Sequence, residues 1–284
     1  MQFRLGCAIW SFDGWVGDFY PPGSAQSEFL DLYVERMTAV EGNTCFYAVP
    51  TEERVEAWAE RMPEDFRFCP KLHRDITHDG ALSDKKKLTG EFLQPMKAFG
   101  ENLGPFHLQL PPSYGPDAFD DLAHFLDAWP RAKAPVAVEL RHPAWFDEPH
   151  ATRLRDMLEE LGVARVLLDT RPIYECPDDP QVNSDRQKPR LPLDPHRTSD
   201  LTFVRYISHP TVERNDDYLH AWADRVTDWL ADDTQVYFFV HCPYEQESPG
   251  IARRFQTILE ERDADIPALP WNDLPPQPAQ ERLL

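Results

Sequence analysis

The segment PVAVELRHPAWF, residues 135–146, reads as a short buried strand that ends in charged side chains. Residues 136–138 form an apolar, β-branched run of the kind found in strands that are covered on both faces. A carboxylate, Glu139, and a guanidinium, Arg141, come next in the same strand. Two opposite charges at the end of a core strand indicate that this end opens onto a polar site.

Seven similar runs alternate with longer amphipathic stretches along the 284-residue chain. The eight predicted strands are residues 3–10, 39–47, 66–72, 105–110, 135–141, 164–170, 201–207 and 235–241. Strands that alternate with helices over about 260 residues predict an α/β fold, a single (β/α)8 barrel of the TIM type. A doubly wound open sheet is the alternative, but the segment after the first strand lacks the glycine-rich phosphate turn of such sheets.

The domain organisation follows from two segments that break this alternation. We expect one barrel domain over residues 1–265 and a Pro-rich tail over residues 266–284 that lies extended on the surface. The segment 171–200 carries six prolines and no helical period. A loop of that length after a barrel strand is either functional, as a lid over the site, or a disordered insertion. Both interpretations stay open from the sequence.

Composition excludes several classes of partner. The net charge of −20 repels phosphate backbones and argues against nucleic acid as a ligand. No apolar run approaches the ~18–20 residues of a membrane span, and the first residues do not resemble a secretion signal. Five cysteines, an odd number without a C-x-x-C pair, are typical of reduced thiols. We therefore expect an acidic, cytoplasmic, globular protein that does not bind membranes.

Polar residues stand near the ends of seven of the eight predicted strands. In a TIM-type barrel these ends open on one face, so we expect the side chains to converge on one mouth. They are Glu41, Asn43, Lys71, His73, His107, Gln109, Glu139, Arg141, Asp169, Arg205 and His241. For each residue alone, a salt bridge at the rim is the alternative. As a set they indicate a site, because so many charges in a dry mouth cost stability unless they pair or bind a ligand.

The charges of this set favour one chemistry over another. Three carboxylates are matched by three cations, Lys71, Arg141 and Arg205. Metal sites usually carry carboxylates and histidines in excess, whereas several cations suit a small anionic or sugar-like ligand held by forked hydrogen bonds. We therefore predict no cofactor, with a bound metal as the alternative. The ligands of that metal would be Glu139, Asp169, His142 and His241.

Four ordered motifs over residues 4–260 resemble the family known as domain of unknown function 72, whose bacterial members include the YecE-type proteins. The motifs lie at 6–23, 40–78, 103–114 and 136–146. Within them the family's patterns match E-x-N-x-x-F-Y at 41–47, Lys71 followed by I-T-H at 76–78, Q-x-P-P at 109–112 and E-x-R-x-x-x-W at 139–145. Asp169 and Arg205 also match, and His241 stands where the YecE-type branch carries histidine. The resemblance implies a (β/α)8 barrel and no particular reaction, since a fold alone does not define a function.

These observations give a set of candidate residues and three hypotheses. The candidate catalytic residues are Glu41, Glu139, Asp169 and His241. The candidate ligand-binding residues are Asn43, Tyr47, Lys71, Gln109, Arg141, Trp145 and Arg205. The first hypothesis is a metal-independent enzyme that acts on a small anionic or sugar-like substrate. The others are a metal-dependent hydrolase or isomerase of the sugar or abasic-DNA type, and a non-catalytic barrel that binds a ligand or a protein partner.

Overall fold

A computed structural model describes residues 2–181 and 187–274, and its strands form one eight-stranded parallel sheet. The strands are β1 (Phe3–Cys7), β2 (Ala39–Gly42), β3 (Arg67–Pro70), β4 (Phe106–Gln109), β5 (Val136–Glu139), β6 (Ala164–Asp169), β7 (Leu201–Ile207) and β8 (Gln235–His241). Their order in the sheet is β3-β2-β1-β8-β7-β6-β5-β4. The seam between β3 and β4 is joined by a parallel bridge between Lys71 and His107, so the barrel is nearly closed. The predicted α/β barrel is confirmed.

Helices connect the strands on the outside of the barrel. They are α1 (Phe29–Val34), α2 (Thr44–Tyr47), α3 (Glu52–Ala59), α4 (Arg74–Thr77), α5 (Lys86–Met96), α6 (Phe119–Ala128), α7 (His150–Leu161), α8 (Arg171–Tyr174), α9 (Asp216–Ala231) and α10 (Ser248–Glu260). In α9 the apolar residues recur on one face, and Trp222 packs edge-on against Phe238 of β8 at 5.8 Å. Burial of each such side chain contributes about 1.5–3 kcal/mol, which fixes the helix to the sheet.

The interior of the barrel is layered, and this layering positions the site. Small and aromatic side chains fill its lower part, where Phe203 of β7 packs against Phe239 of β8 at 4.8 Å. Side chains two residues further along a strand point the same way, so Arg205 lies one layer above Phe203. Glu41 follows Ala39 and Glu139 follows Ala137 in the same manner. The apolar layer therefore supports a polar layer at the C-terminal ends of the strands.

Several predicted strands run too far toward their C-terminal ends, whereas β7 and β8 match their predicted bounds. The second predicted strand, 39–47, ends at Gly42, and its last residues form the single turn of α2. The turn begins where the Asn43 side chain donates a hydrogen bond to the carbonyl of Ala8 at 2.8 Å. A short apolar run is compatible with both a strand and a helical turn, which is why periodicity misplaced this boundary.

The two irregular segments both contact the barrel. In the loop 171–200, Leu191 lies in a buried apolar cluster with Leu168 of β6 and Ile207 of β7, and residues 182–186 lie outside the described residues. In the predicted tail, Leu269 is buried and Trp271 packs edge-on against Phe19, while residues 275–284 lie outside the described range. The start of the tail therefore packs on the barrel. Throughout the described chain, every helix is too short or too polar to cross a membrane.

Candidate functional site

The floor of the mouth is a group of charged and imidazole side chains that we call the buried ion cluster. Its members are Glu41, His107, Glu139, Arg205 and His241. Arg205 lies at its centre and donates from Nε and Nη2 to the two oxygens of Glu41, at 2.8 and 3.1 Å. Its Nη1 donates to Glu139 Oε2 at 2.6 Å. Forked bonds of this kind are among the strongest that proteins form, so the two carboxylates and the guanidinium hold one another in place.

Burial and pairing act in opposite directions on the two carboxylates. Burial disfavours the charged form of Glu41, but the charge of Arg205 holds its pKa well below the usual range. Burial likewise opposes ionisation of Glu139, and Arg141 and Arg205 outweigh it, so the pKa of Glu139 is also strongly lowered. Both groups are ionised at neutral pH. Because carboxylates with such low pKa values accept protons poorly, these two fix the arginines more readily than they shuttle protons.

The two histidines of the cluster are hydrogen-bonded within it. His107 Nε2 lies 3.0 Å from Glu139 Oε2, and its ring packs on Phe203 of the apolar layer. His241 Nε2 lies 3.0 Å from Glu41 Oε2 and 3.1 Å from Arg205 Nη2. Burial and the nearby Arg205 lower the pKa of His241 to about 3. His241 is therefore a neutral imidazole at physiological pH.

A cavity of about 550 Å³ opens above the buried ion cluster. Its lining includes seven of the predicted residues, namely Asn43, Tyr47, Lys71, Gln109, Arg141, Arg205 and His241. It also includes Phe46, Arg74, His78, Gln187, Lys188 and Glu245, which the sequence analysis did not assign to the site. The mouth of the barrel thus holds a pocket of the size that small ligands occupy.

Arg141 and Lys71 are the predicted ligand-binding cations with the clearest geometry. Arg141 donates from Nε to Glu139 Oε1 at 2.6 Å, and its guanidinium lines the cavity. Lys71 donates from Nζ to the neutral Oε1 of Gln109 at 2.9 Å. Within the described chain Lys71 forms no ion pair with a carboxylate. Burial, reinforced by Arg205, lowers the pKa of Lys71 to about 7.

Asp169 does not reach the mouth, and its prediction as a catalytic residue at the convergence of strands is corrected. In the register of β6 and β7, Leu168 pairs with inward-pointing Arg205, so Asp169 points outward. Its carboxylate accepts bonds from Arg171, at 2.8 Å from Nη2, and from the indole of Trp222 at 2.7 Å. Asp169 therefore ties α8 and α9 to the sheet.

Trp145 also lies away from the cavity, contrary to its assignment as a ligand-binding residue. It is fully buried, and its indole N–H donates to the Tyr114 carbonyl at 2.7 Å. His73 and His142 have local roles, because each accepts a backbone N–H in the turn that follows it, from Asp75 and Ala144 respectively. These side chains shape the loops around the mouth.

The predicted metal ligands do not come together. Glu139 is bonded to arginines, Asp169 lies outside the barrel and His142 bonds its own loop, so no open ligand set forms around His241. Among the described residues, one group of three possible metal ligands exists elsewhere, formed by Cys176, Asp178 and His209. The guanidinium of Arg214 already pairs with Asp178 and lies 3.1 Å from His209 Nε2. A cation there would have to displace Arg214, so this group fits a metal poorly.

Three of the residues that sequence analysis missed have shifted pKa values. Burial, with Lys71 and Arg141 nearby, lowers the pKa of His78 to about 4. Burial lowers the pKa of Lys188 to about 8 and raises the pKa of Glu245 to about 8. Among the described residues, Glu245 Oε1 is buried without a hydrogen-bond partner. The I-T-H motif could have identified His78, whereas nothing in the sequence marks Lys188 and Glu245 as neighbours.

Comparison with known proteins places these features in a wider group. Residues 4–278 match the family model described as "Protein of unknown function DUF72". The UPF0759 protein YecE of Escherichia coli K12 is 31% identical over 269 residues, which covers 94% of this chain and 96% of the relative. A DUF72 family protein of Enterococcus faecalis V583 superposes with a TM-score of 0.68 at 18% identity, covering 91% of this chain and 95% of its own. A DUF72 family protein of Thermotoga maritima MSB8 superposes with a TM-score of 0.66 at 20% sequence identity, covering 92% of this chain and 100% of its own. The chain therefore belongs to the DUF72 family.

Proposed function

We propose that the protein is an enzyme that converts a small anionic substrate in the cavity above the buried ion cluster. One observation carries this proposal: the carboxylates of the floor are bonded to arginine, while cations remain along the wall. Those cations are Lys71, Arg74, Arg141 and Lys188. The sequence predicts three carboxylates and three cations at the mouth. Because Asp169 lies outside the mouth, the site holds one carboxylate fewer and is more cationic than that prediction. A cationic cavity in a chain of net charge −20 concentrates small anions at one place.

The geometry of the wall favours a phosphate or carboxylate group as the anionic part of the substrate. Arg141 is held by its bond to Glu139, so its guanidinium is oriented before a ligand arrives. Pre-oriented guanidinium groups bind such anions through paired hydrogen bonds. The amides of Asn43 and Gln109 line the same cavity and suit the hydroxyl groups of a sugar-like substrate.

Catalysis, in contrast to binding alone, is supported by titratable groups whose pKa values lie near neutrality. Lys71 has a pKa of about 7, and Lys188 and Glu245 have pKa values of about 8. Groups of this kind can exchange protons with a bound substrate at physiological pH. The arginine partners of Glu41 and Glu139 further support a mechanism that does not use these carboxylates as metal ligands.

The proposal is tested by measuring inorganic phosphate binding with isothermal titration calorimetry. We expect phosphate to bind, and Lys188→Ala and Arg74→Ala each to weaken binding by about tenfold, because each removes one charge-assisted contact. Lys133→Ala is the matched control, since this exposed lysine precedes β5 at the opposite end of the barrel. Absence of phosphate binding, or equal affinity in all four proteins, would contradict the proposed function.

A further inference from the structure

Lys71 is an unusual lysine because its buried ammonium forms no ion pair with a carboxylate of residues 2–181 or 187–274, although burial of a charge normally requires such a partner. Its residue surface is 7% exposed. Nζ donates to the uncharged Gln109 amide at 2.9 Å and lies 4.6 Å from the centre of the Phe46 ring. The carboxylates Glu41 and Glu139 attract its charge, and both are bonded to Arg205. Lys71 therefore lies in a cationic part of the cavity wall without an ion pair among the described residues.

This environment favours the neutral amine, which is the nucleophilic form of lysine. Water does not solvate a buried ammonium, and neighbouring guanidinium groups repel it. The ring of Phe46 and the amide of Gln109 hold Nζ at the cavity wall. Lysines that are desolvated or lie beside other cations are the ones that enzymes use to form covalent bonds with carbonyl substrates.

We propose that Lys71 is a nucleophile that forms an imine with the carbonyl carbon of an anionic oxo compound. The substrate class is an oxo acid or a phosphorylated aldehyde or ketone, since these molecules combine the carbonyl with the anionic group that the cavity is suited to bind. Arg141 and Lys188 line the same cavity and would hold that anionic group. This inference rests on the proposed function, because it places the substrate in the proposed anion-binding cavity.

The covalent step needs no oxidant or reductant. The lone pair of Nζ attacks the carbonyl carbon, a C–N bond forms, and the π electrons move to the oxygen, which takes up a proton. The nitrogen loses one proton to give a carbinolamine, whose hydroxyl group takes up a second proton and leaves as water while the C=N bond forms as an iminium. Loss of the remaining N–H proton then gives the imine, so the two protons gained by oxygen equal the two lost by nitrogen. The balance is one amine and one carbonyl compound giving one imine and one water molecule.

Groups that could move these protons lie in the same cavity. His78 packs edge-on against Phe46 at 5.0 Å, on the ring that also contacts Lys71. Its Nδ1 lies 2.7 Å from the hydroxyl of Thr77, which fixes the orientation of the imidazole. Glu245 lines the cavity with a buried oxygen that has no partner among the described residues. A neutral imidazole accepts a proton from the attacking amine, and a protonated carboxyl group donates one to the departing oxygen.

The experiment is reductive trapping with sodium cyanoborohydride at pH 7.5, followed by intact mass and peptide mapping. The probes are glyoxylate, pyruvate and dihydroxyacetone phosphate, which separate carboxylate from phosphate as the anionic group. We expect one adduct per chain, on Lys71, at least tenfold faster than on exposed lysines with at least one probe. Lys71→Met and Lys71→Arg should lose it, and the control Lys133→Met should keep it. Excess inorganic phosphate should slow the reaction.

The pH dependence gives a second readout that a merely structural lysine would not show. Lys71 is faced by the cations Arg205 and Arg141, by the carboxylates Glu41 and Glu139, and by His78. The trapping rate should rise from pH 6 to pH 8 as the amine loses its proton. An exposed lysine should continue to gain reactivity toward pH 10.

The outcomes separate the two proposals. The proposal that Lys71 forms an imine would be overturned if exposed lysines were labelled at the same rate as Lys71, or if none of the three probes gave an adduct. If phosphate still binds in that case, the proposed function stands and only the imine proposal fails. If neither phosphate binding nor an adduct is observed, both proposals fail. An adduct that persists in Lys71→Arg would also overturn the assignment to Lys71.

Discussion

Two groups of buried charged side chains meet at the mouth of the barrel, and burial affects them in opposite ways. In the buried ion cluster, Glu41 and Glu139 keep their charge and have strongly lowered pKa values, because Arg205 lies between them. In the cavity wall, Lys71 and Glu245 have pKa values shifted toward their neutral forms. Glu41, Glu139 and Lys71 are buried and Glu245 is half-buried, so the availability of a partner, more than burial alone, accounts for the contrast.

The difference separates a structural role from a chemical one within a single mouth. A buried charge with a forked partner stabilises the arrangement that it belongs to, and removal of either partner leaves an uncompensated charge. A buried ionisable group without a partner becomes neutral at little cost in free energy. Such a group can therefore exchange a proton, and a neutral amine can also attack a carbonyl carbon. The floor therefore holds the wall in place, and the wall faces the cavity.

The largest expected effect follows from removal of the central guanidinium. Arg205→Met should lower the free energy of unfolding by about 3–5 kcal/mol, because two buried carboxylates lose their shared partner. Denaturation in urea at pH 7 measures this loss. The control is Lys87→Met, which breaks an exposed helical pair with Glu91 and should cost no more than about 0.5 kcal/mol. A loss below about 1 kcal/mol in Arg205→Met would mean that the floor is not held by ion pairing.

A second prediction concerns the acid side of the stability profile. The pKa values of Glu41 and Glu139 in the folded protein lie well below 4.5. Their contribution to the free energy of unfolding is therefore present above pH 4.5 and is lost as the pH falls through the folded pKa values. In Glu139→Gln, the decline of unfolding free energy between pH 4.5 and pH 3 should be shallower by up to about 1.4 kcal/mol per pH unit, which corresponds to one proton. Identical slopes in the two proteins would show that Glu139 titrates normally in the fold.

The floor and the part of the wall that follows the strands, such as Lys71 and Arg141, were largely predictable from sequence, and the part of the wall that the loops supply was not. Glu41, Glu139 and Arg205 stand at the ends of apolar runs, and the alternation of a strand directs them inward once the strand ends are known. Asp169 was misplaced because alternation within β6 does not reveal the register of β6 against β7, and one residue of offset turns a side chain outward.

The other members of the wall, Lys188 and Glu245, depend on how loops fold back over the barrel. Lys188 belongs to a Pro-rich loop without periodicity, and its place is set by bonds to Gln181 and Tyr174 within that loop. Glu245 follows β8 in a short 3-10 turn, where its carbonyl accepts the indole N–H of Trp15 at 2.9 Å. Contacts of this kind join distant parts of the chain, so the sequence carries no local signal for them.

A third prediction tests the unpaired character of Lys71. Lys71→Met should raise the free energy of unfolding at pH 7 by on the order of 1–2 kcal/mol, because an apolar chain replaces a poorly solvated amine. Loss of the bond to Gln109 offsets part of the gain. Since the pKa of Lys71 falls from 10.5 to about 7 on folding, the wild-type protein should gain stability as the pH rises between these values. The advantage of the variant should therefore shrink toward pH 10.5, and an advantage that grows with pH would exclude an unpaired lysine.

The smallest expected effect is that of Glu245→Gln, in which an amide replaces a carboxyl group of similar shape. Folding raises the pKa of Glu245 from 4.5 to about 8, so the wild-type protein loses stability as the pH rises through this interval, and the variant does not. At pH 5 the free energies of unfolding of the two proteins should agree within about 0.3 kcal/mol. By pH 9 the free energy of unfolding of the variant should be higher by about 1 kcal/mol. The control Glu247→Gln changes a solvent-exposed side chain in the same turn. Its free energy of unfolding should differ from that of the wild type by the same amount at pH 5 and pH 9. Because Lys188 is the cation that opposes the shift of Glu245, Lys188→Met should raise the pKa of Glu245 further and widen the difference between the Glu and Gln proteins; an unchanged difference would show that Lys188 does not act on Glu245.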